Sequence, residues 1–500
     1  MSAYACSGSC VRATDHSLHG ATVVLDWLLS EALPPPGMSR QQALYRSLRD
    51  AILTRRLAAG TRLPSTRQLA ASLGIARNTV LFAYEQLVAE GCLLAGRHGT
   101  RVADLPVSAM PVRPAAPPDG PGLSARAAFA LERETTGELS NLPFCPGLPD
   151  LGAFPFRAWR ACLERAWREA GWRQLAYARD GGEPLLREAL AEHLASVRGF
   201  AVTPQQVIIT AGMQSGLELC ARLLADPAQI AWVENPGYPA ARTALGLAGL
   251  NLHDVGVDDE GLAPSAEDWA CHPPRLIMVT PSHQYPTGRV MSLARRLALL
   301  QHARGAGAWI IEDDYDSEFR RDGAALPALY GLQFDAPVVY AGTFSKTMYP
   351  GLRIAYLVVP MAIAETFVRA AGQATRPGQG IEQMALADFI RRGHYTRHLR
   401  QMRTHYARRQ AALRTALARH PGPELRITGG AAGLHLVLWL PPALPDQEVV
   451  RRALALGLGP RPLSDYARSP SSCNGLVLGY GTLAEDMADG AVRRLRAVMQ

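Results

Sequence analysis

The chain contains 52 Lys and Arg residues, and only one of them, Lys346, is a lysine. A guanidinium stays protonated and is a poor nucleophile, whereas an ε-amine can lose its proton and attack an aldehyde. The stretch Val338-Val339-Tyr340-Ala341-Gly342-Thr343-Phe344-Ser345-Lys346 reads as a buried strand running into a polar turn, and Arg353 follows in Pro350-Gly351-Leu352-Arg353. An amine with hydroxyls before it and an arginine after it suits an aldehyde cofactor that carries a phosphate. A stray solvated lysine would sit among charges, not behind an apolar run.

Other reactive types fall at the ends of apolar runs. Ile310-Ile311-Glu312-Asp313-Asp314-Tyr315 reads as a strand running into carboxylates. A buried carboxylate opposite a pyridine nitrogen keeps that ring protonated and makes it an electron sink. Asp313 is the candidate, and Tyr315 is placed to bond a ring hydroxyl. A solvated acidic turn is the competing description, and it fits Asp314 and Asp316 better than Asp313. Thr210-Ala211-Gly212-Met213-Gln214 reads as a small-residue turn into a helix, whose free N–H groups suit a phosphate. Tyr238, in Asn235-Pro236-Gly237-Tyr238-Pro239, offers an aromatic face to a flat ring. His283, in Ser282-His283-Gln284-Tyr285-Pro286-Thr287-Gly288, fits an ordinary satisfied loop histidine as well as a chemical role.

The elements that must position these groups alternate. Residues 207–210, 230–233, 276–279, 309–311 and 338–340 are strand candidates, most of them separated by helical stretches, which predicts a mostly parallel, doubly wound α/β sheet over 141–500. Open sheets of this kind bind ligands at the carboxyl ends of their strands. Before it, residues 103–140 have linker composition, with six prolines between Pro106 and Pro121. Residues 1–37 read as a partly disordered leader.

Residues 38–102 read as a helical block. A first helix is expected over Ala43–Ala58. Ser65 and Gln68 make a capping box for a second, which ends at Leu73-Gly74. A third starts within Ile75-Ala76-Arg77-Asn78-Thr79-Val80, and Gly96-Arg97-His98-Gly99-Thr100-Arg101-Val102 forms a basic hairpin tip. This is a winged helix-turn-helix pattern. Through residue 102 there are 11 Arg against 6 Asp and Glu, so the block is disproportionately basic. Arg67, Arg77, Asn78, Thr79, His98 and Arg101 are expected to face phosphates and base edges.

The bulk numbers agree with a multidomain soluble chain. Five hundred residues exceed one ordinary core, and hydrophobic and charged contents are 48% and 19%. No apolar run reaches the roughly 18 residues that span a membrane, and no secretory signal is read, so a cytoplasmic protein is expected. The eight cysteines include no CxxC pair. Free thiols and no metal site are expected.

The first block resembles the winged-helix domain of GntR-type transcription regulators, through Leu63-Pro64-Ser65, Arg67, Leu73-Gly74-Ile75, Arg77, Thr79-Val80, Tyr84-Glu85-Gln86-Leu87 and the Gly91…Gly99-Thr100 ending. That resemblance implies DNA contacts from Arg67, Arg77, Asn78, Thr79, His98 and Gly99. Leu81 stands where some members carry another arginine. Most of 141–500 is similar to the fold-type I aminotransferases that use pyridoxal 5′-phosphate, through Glu-Asp-Asp-Tyr-Asp-Ser-Glu-Phe-Arg, Gly-Thr-Phe-Ser-Lys with Pro-Gly-Leu-Arg, and Ser-His-Gln-Tyr-Pro-Thr-Gly. It implies that Lys346 is the catalytic lysine and carries the cofactor covalently. Asp313 would pair with the pyridine nitrogen, Tyr315 would contact the ring hydroxyl and Tyr238 would stack on the ring. Met213, Gln214, Thr343 and Arg353 would hold the phosphate. Tyr177 aligns with a tyrosine that reaches the phosphate of the neighbouring subunit, which implies a homodimer.

Two departures from the aminotransferase pattern stand out. Tyr285 occupies the place of the asparagine that bonds the cofactor hydroxyl, and 475–480 lacks the arginine that clamps a substrate carboxylate, for which Arg461 could substitute. Head, linker and body together resemble the MocR subfamily of GntR-type regulators. The expectation is a transcription regulator that binds operator DNA and senses pyridoxal phosphate or an amine or amino-acid effector, with at most weak transaminase activity. The competing expectations are a working aminotransferase with a fused DNA-binding head and a scaffold with a degenerate pocket.

Overall fold

The computed structural model describes residues 38–97, 99–105, 124–127, 142–177, 181–321, 327–374, 378–420, 425–469 and 473–500. The leader and most of the linker lie outside these residues. The chain divides into two compact units, Met1–Gly122 and Leu123–Gln500.

In the first unit, helix α1 spans Arg40–Leu53, α2 Thr66–Leu73 and α3 Arg77–Ala89, followed by strands β1 (Leu93–Gly96) and β2 (Gly99–Val102). Helix α1 starts and stops earlier than its periodicity predicts. Ser39 caps its start by accepting the Gln42 N–H, and the chain turns after Thr54, with Arg55 at φ 56°. That turn tucks Leu57 into the core with Leu48, Leu69, Val80, Leu87 and Leu93. The expected capping box opens α2: Gln68 N–H donates to Ser65 Oγ at 3.3 Å and Ser65 N–H to Gln68 Oε1 at 3.0 Å. Gly74, at φ 61°, supplies the left-handed stop. Strands β1 and β2 pair antiparallel from Leu93 opposite Val102 to Gly96 opposite Gly99, which makes the wing.

The second unit holds an eight-stranded sheet in the order β3-β10-β9-β8-β7-β4-β5-β6. Its strands are β3 Val207–Thr210, β4 Ile230–Asn235, β5 Asn251–Asp258, β6 Gly261–Leu262, β7 Leu276–Val279, β8 Trp309–Asp314, β9 Val338–Thr343 and β10 Ala355–Val358. All five expected strands are present, and the run β5-β4-β7-β8-β9 is parallel. The sequence reading omits β10, which runs antiparallel to both β3 and β9. Helix α6 (Met213–Leu224) packs on the sheet, while α4 (Phe156–Glu169) and the short α5 (Trp172–Leu175) lie against the helix Gly380–Arg391. The long helix α7 (His394–Arg419) leads to a smaller antiparallel sheet of β11 (Ile427–Thr428), β12 (His435–Trp439), β13 (Arg461–Pro462) and β14 (Gly475–Gly479). Among the described residues no helix is long and apolar enough to cross a membrane.

Candidate functional site

In the head, Arg67, Arg77 and Asn78 are exposed at the starts of α2 and α3, and the Arg77 Nε–H donates to Thr66 Oγ1 at 3.3 Å. Thr79 departs from the expectation of an outward contact. It is 8% exposed, because the third residue of α3 turns inward against the three-helix core. Gly99 is exposed at the wing, and His98 lies outside the described residues. The wing also recruits a residue that the sequence reading missed. Arg62 forms a β-bridge with Arg101, and a Cβ on Gly99 would sit 3.2 Å from Arg62 Nε, so this guanidinium lies under the wing tip. Its neighbours in sequence gave no cue, since the contact is remote along the chain.

In the body, strand ends assemble the pocket. Lys346 follows β9, and its Nζ donates to the Gly147 carbonyl at 2.6 Å. Burial pulls the amine below the ordinary lysine range, against the pull of Asp316 and Asp313. Asp313 sits near the carboxyl end of β8, opposite Ala341 of β9. It is buried, its Oδ1 has no hydrogen-bond partner among the described residues, and burial together with Asp314, Asp316 and Glu234 pushes it well above the usual carboxylate range. A buried carboxylate oxygen with nothing to accept from is costly unless a ligand supplies the donor.

Strand β10 builds the opposite end. Ala355 lies opposite Thr210 of β3 on one side and Thr343 of β9 on the other. The preceding residue pair therefore brings Arg353 against the turn that starts α6. Arg353 Nη2–H donates to Ala211 O at 3.3 Å, and a Cβ on Gly212 would lie 2.8 Å from the guanidinium carbon. Gly212 is at φ 95°, so a glycine is needed both for the turn and for the arginine. Met213 opens α6 as a buried residue and Gln214 is exposed beside it. Thr343 Oγ1 accepts the Ser345 N–H at 3.2 Å.

The rings line the remaining wall. Tyr238 meets Tyr285 edge to face at 6.0 Å, and Tyr285 meets Tyr315 at 5.9 Å. The Tyr285 and Tyr466 hydroxyls are 3.1 Å apart. Burial raises both phenols, and the charge of Arg461 works against that rise. Arg461 lies in β13, opposite Val477 of β14.

Two loop expectations are corrected. Asp314 and Asp316 are buried rather than solvated. Asp314 pairs with Arg198 at 2.6 Å and accepts from the Tyr340 hydroxyl at 2.6 Å, and Asp316 lies 3.0 Å from His283 Nδ1. His283 is likewise buried, and among the described residues its Nε2 has no hydrogen-bond partner. Glu234 was also missed. It is buried, accepts from Thr280 Oγ1–H at 2.5 Å and from Gln284 Nε2–H at 3.1 Å, and is pushed up to about 7. Tyr177 lies at the surface, 84% exposed.

This donor set fits a phosphorylated pyridine aldehyde: an amine of lowered proton affinity, a carboxylate lacking a donor, and an anion turn beside a guanidinium. Comparison with known proteins agrees. Residues 40–102 match the model for bacterial regulatory proteins of the gntR family, and residues 148–456 match aminotransferase class I and II. The probable rhizopine catabolism regulatory protein MocR of Rhizobium meliloti is 40% identical over 92% of this chain and 93% of its own. The pyridoxine biosynthesis transcriptional regulator PdxR of Corynebacterium glutamicum is 35% identical over 86% and 89%. The α-aminoadipate aminotransferase LysN of Thermus thermophilus, solved with N-(5′-phosphopyridoxyl)-L-leucine, superposes with a TM-score of 0.68 at 29% identity, covering 75% of this chain and 97% of that one. The cofactor of this body is pyridoxal 5′-phosphate, and the chain, a DNA-binding transcription regulator, belongs to the MocR-type GntR family with an aminotransferase class I and II body.

Proposed function

We propose that residues 38–102 read operator DNA while residues 141–500 hold pyridoxal 5′-phosphate on Lys346 and sense either that molecule or an amine or amino-acid effector. The observation that carries this reading is the partnerless buried oxygen of Asp313, in the same pocket as the only lysine. When bound, the cofactor supplies an aldehyde open to amines and a ring that withdraws electrons. Lys346 would hold the aldehyde carbon, because burial keeps more of its amine neutral. Asp313 would keep a proton on the ring nitrogen. The Met213–Gln214 turn, Thr343 and Arg353 would hold the phosphate, with Tyr238 against the ring and Tyr315 and Tyr285 along its edge. Arg67, Arg77, Asn78, Gly99 and the backbone at Thr79 would meet the DNA.

A homodimer is part of the proposal. Phe156, Trp167, Trp172, Leu175 and Tyr177, on and just after α4 and α5, are large apolar residues left exposed, and such residues gathered in one stretch of chain favour a protein contact there. Tyr177 would reach the partner's phosphate. An effector that binds one body conformation more tightly than another then shifts the population and with it the spacing of two heads on paired half-sites. Such a protein works in the cytoplasm, where the operator is. The likeness is stronger to a catabolism regulator than to a pyridoxine biosynthesis regulator, which favours a catabolic effector over the vitamin.

Borohydride reduction followed by peptide mapping tests the assignment. A pyridoxyl adduct is expected on the peptide carrying Lys346, and its absence would remove the cofactor reading. A working aminotransferase is the second reading, favoured by the presence of both Lys346 and Asp313. It is opposed by β14, Gly475–Gly479, which has no arginine to orient a carboxylate. Repeated turnover with a panel of amino donors and 2-oxo acids would establish it over the sensor.

A further inference from the structure

Behind Tyr315 lies a buried cluster that the cofactor assignment does not use. His283 Nδ1 is 3.0 Å from Asp316 Oδ2, 3.2 Å from Asp316 Oδ1 and 3.0 Å from the Tyr315 hydroxyl oxygen. His283 Nε2 is buried and has no hydrogen-bond partner among the described residues. The cluster is tightly enclosed. A Cβ on Gly433 would come within 2.3 Å of both Asp316 Oδ2 and His283 Cε1, and His435 packs 5.0 Å away with its Nε2–H donating to Pro286 O at 2.8 Å.

With Asp316 ionised, one proton arrangement satisfies this geometry. Nδ1 then carries a proton, because two sets of lone pairs would otherwise face each other. An imidazolium would leave a charged Nε2–H buried without an acceptor, which costs more than an orphan lone pair. The ring is therefore neutral, with its proton on Nδ1. Nδ1–H cannot accept from Tyr315, so the phenol oxygen can only accept there and its own proton points elsewhere.

We infer that His283 and Asp316 are positioning residues that fix the Tyr315 hydroxyl as a hydrogen-bond donor toward the oxygen on the cofactor ring. The inference rests on the proposal that Tyr315 contacts that oxygen. It accounts for two features of the chain. Tyr285, in the place where related enzymes carry an asparagine, has its hydroxyl on Tyr466 instead, so the orientation of Tyr315 matters more. Gly433 is needed because any side chain there would strike the pair. Asp313, Glu234, Tyr285, Lys346, Arg321, His435 and Tyr480 also surround the cluster, and they are common to every variant below.

The test is a pH titration of the visible absorbance of the full-length protein loaded with pyridoxal phosphate. Losing a donor to a ring oxygen disfavours the deprotonated form, so Tyr315→Phe should raise the midpoint by about one unit, tenfold in proton affinity. An asparagine amide nitrogen occupies the place of Nδ1 and a glutamine amide nitrogen the place of Nε2. His283→Asn should therefore keep the unmodified midpoint, whereas His283→Gln and Asp316→Ala should shift it in the direction of Tyr315→Phe. Equal midpoints for the Asn and Gln variants, or an unmoved Gln variant, would overturn the inference. Imidazole nitrogen NMR on the unmodified protein needs no variant. A proton on Nδ1 of His283 is expected, and a proton on Nε2 would overturn it. If Tyr315→Phe alone leaves the midpoint in place, the contact of Tyr315 with the ring oxygen fails first. If the unmodified protein has no visible band, the cofactor reading itself fails.

Discussion

At the scale of single residues, the pocket works by mismatch. Lys346 is an amine whose charge is discouraged by burial, and Asp313 is an acid whose charge is discouraged for the same reason, until a ring nitrogen gives it a partner. Attachment of an aldehyde needs the neutral amine, and a lowered proton affinity moves the onset of the neutral form to lower pH. The rate of cofactor loading should therefore rise with pH and level off with a midpoint below that of a free lysine, about 10.4. Stopped-flow absorbance across pH checks it, and a midpoint at or above the free value contradicts it. Arg353 is read the same way. Replacing it with Gln removes a charge-assisted contact to phosphate worth about 1.5–3 kcal/mol, so cofactor affinity should fall by roughly tenfold to a hundredfold. Equilibrium titration of the loaded fraction measures that loss. At the DNA face, Arg77→Ala should cost about 1–3 kcal/mol of specific operator binding at fixed salt, and an unchanged affinity would remove Arg77 from the interface.

At the scale of elements, the capping box on α2 is the cleanest case. Ser65→Ala removes one side of it and should destabilise the head by about 1 kcal/mol, seen as a lower midpoint for the first unit in denaturant. That box was legible in the sequence because its partners are three residues apart. So were the parallel strands β4, β7, β8 and β9, each a short apolar run, and with them the places of Asp313 near the end of β8 and Lys346 just after β9; the parallel β5, whose apolar residues are interrupted by His253 and Asp254, was not. Strand β10 was not legible. Ala355-Tyr356-Leu357-Val358 is brief, and only its pairing with β3 and β9 reveals that it joins Arg353 to the Gly212 turn. The burial of Asp314 and Asp316 was not legible for a related reason. Charged residues after a strand usually meet water, and here their burial goes with partners more than twenty positions away in sequence, Arg198 and Tyr340 for Asp314 and His283 for Asp316. Thr79 shows the same limit in the head, because a helix start does not reveal which residue turns inward.

At the scale of the whole molecule, two units with separate cores share one chain, and the body's apolar surface around Trp172 and Tyr177 needs a cover. A second copy is the proposed cover, so sedimentation should give a dimer, and Trp172→Glu should weaken it. A monomer at micromolar concentration in the unmodified protein would contradict the dimer and with it the contribution of Tyr177 to the partner's pocket. The central claim concerns communication between the two activities. It is tested most directly by measuring operator affinity at fixed salt with and without pyridoxal phosphate and candidate amines, in the unmodified protein and in Lys346→Ala. The account predicts that ligand changes the affinity of the unmodified protein by roughly fivefold or more, a coupling of about 1 kcal/mol, and leaves Lys346→Ala unmoved. Equal responses in the two proteins, or none in either, would contradict it.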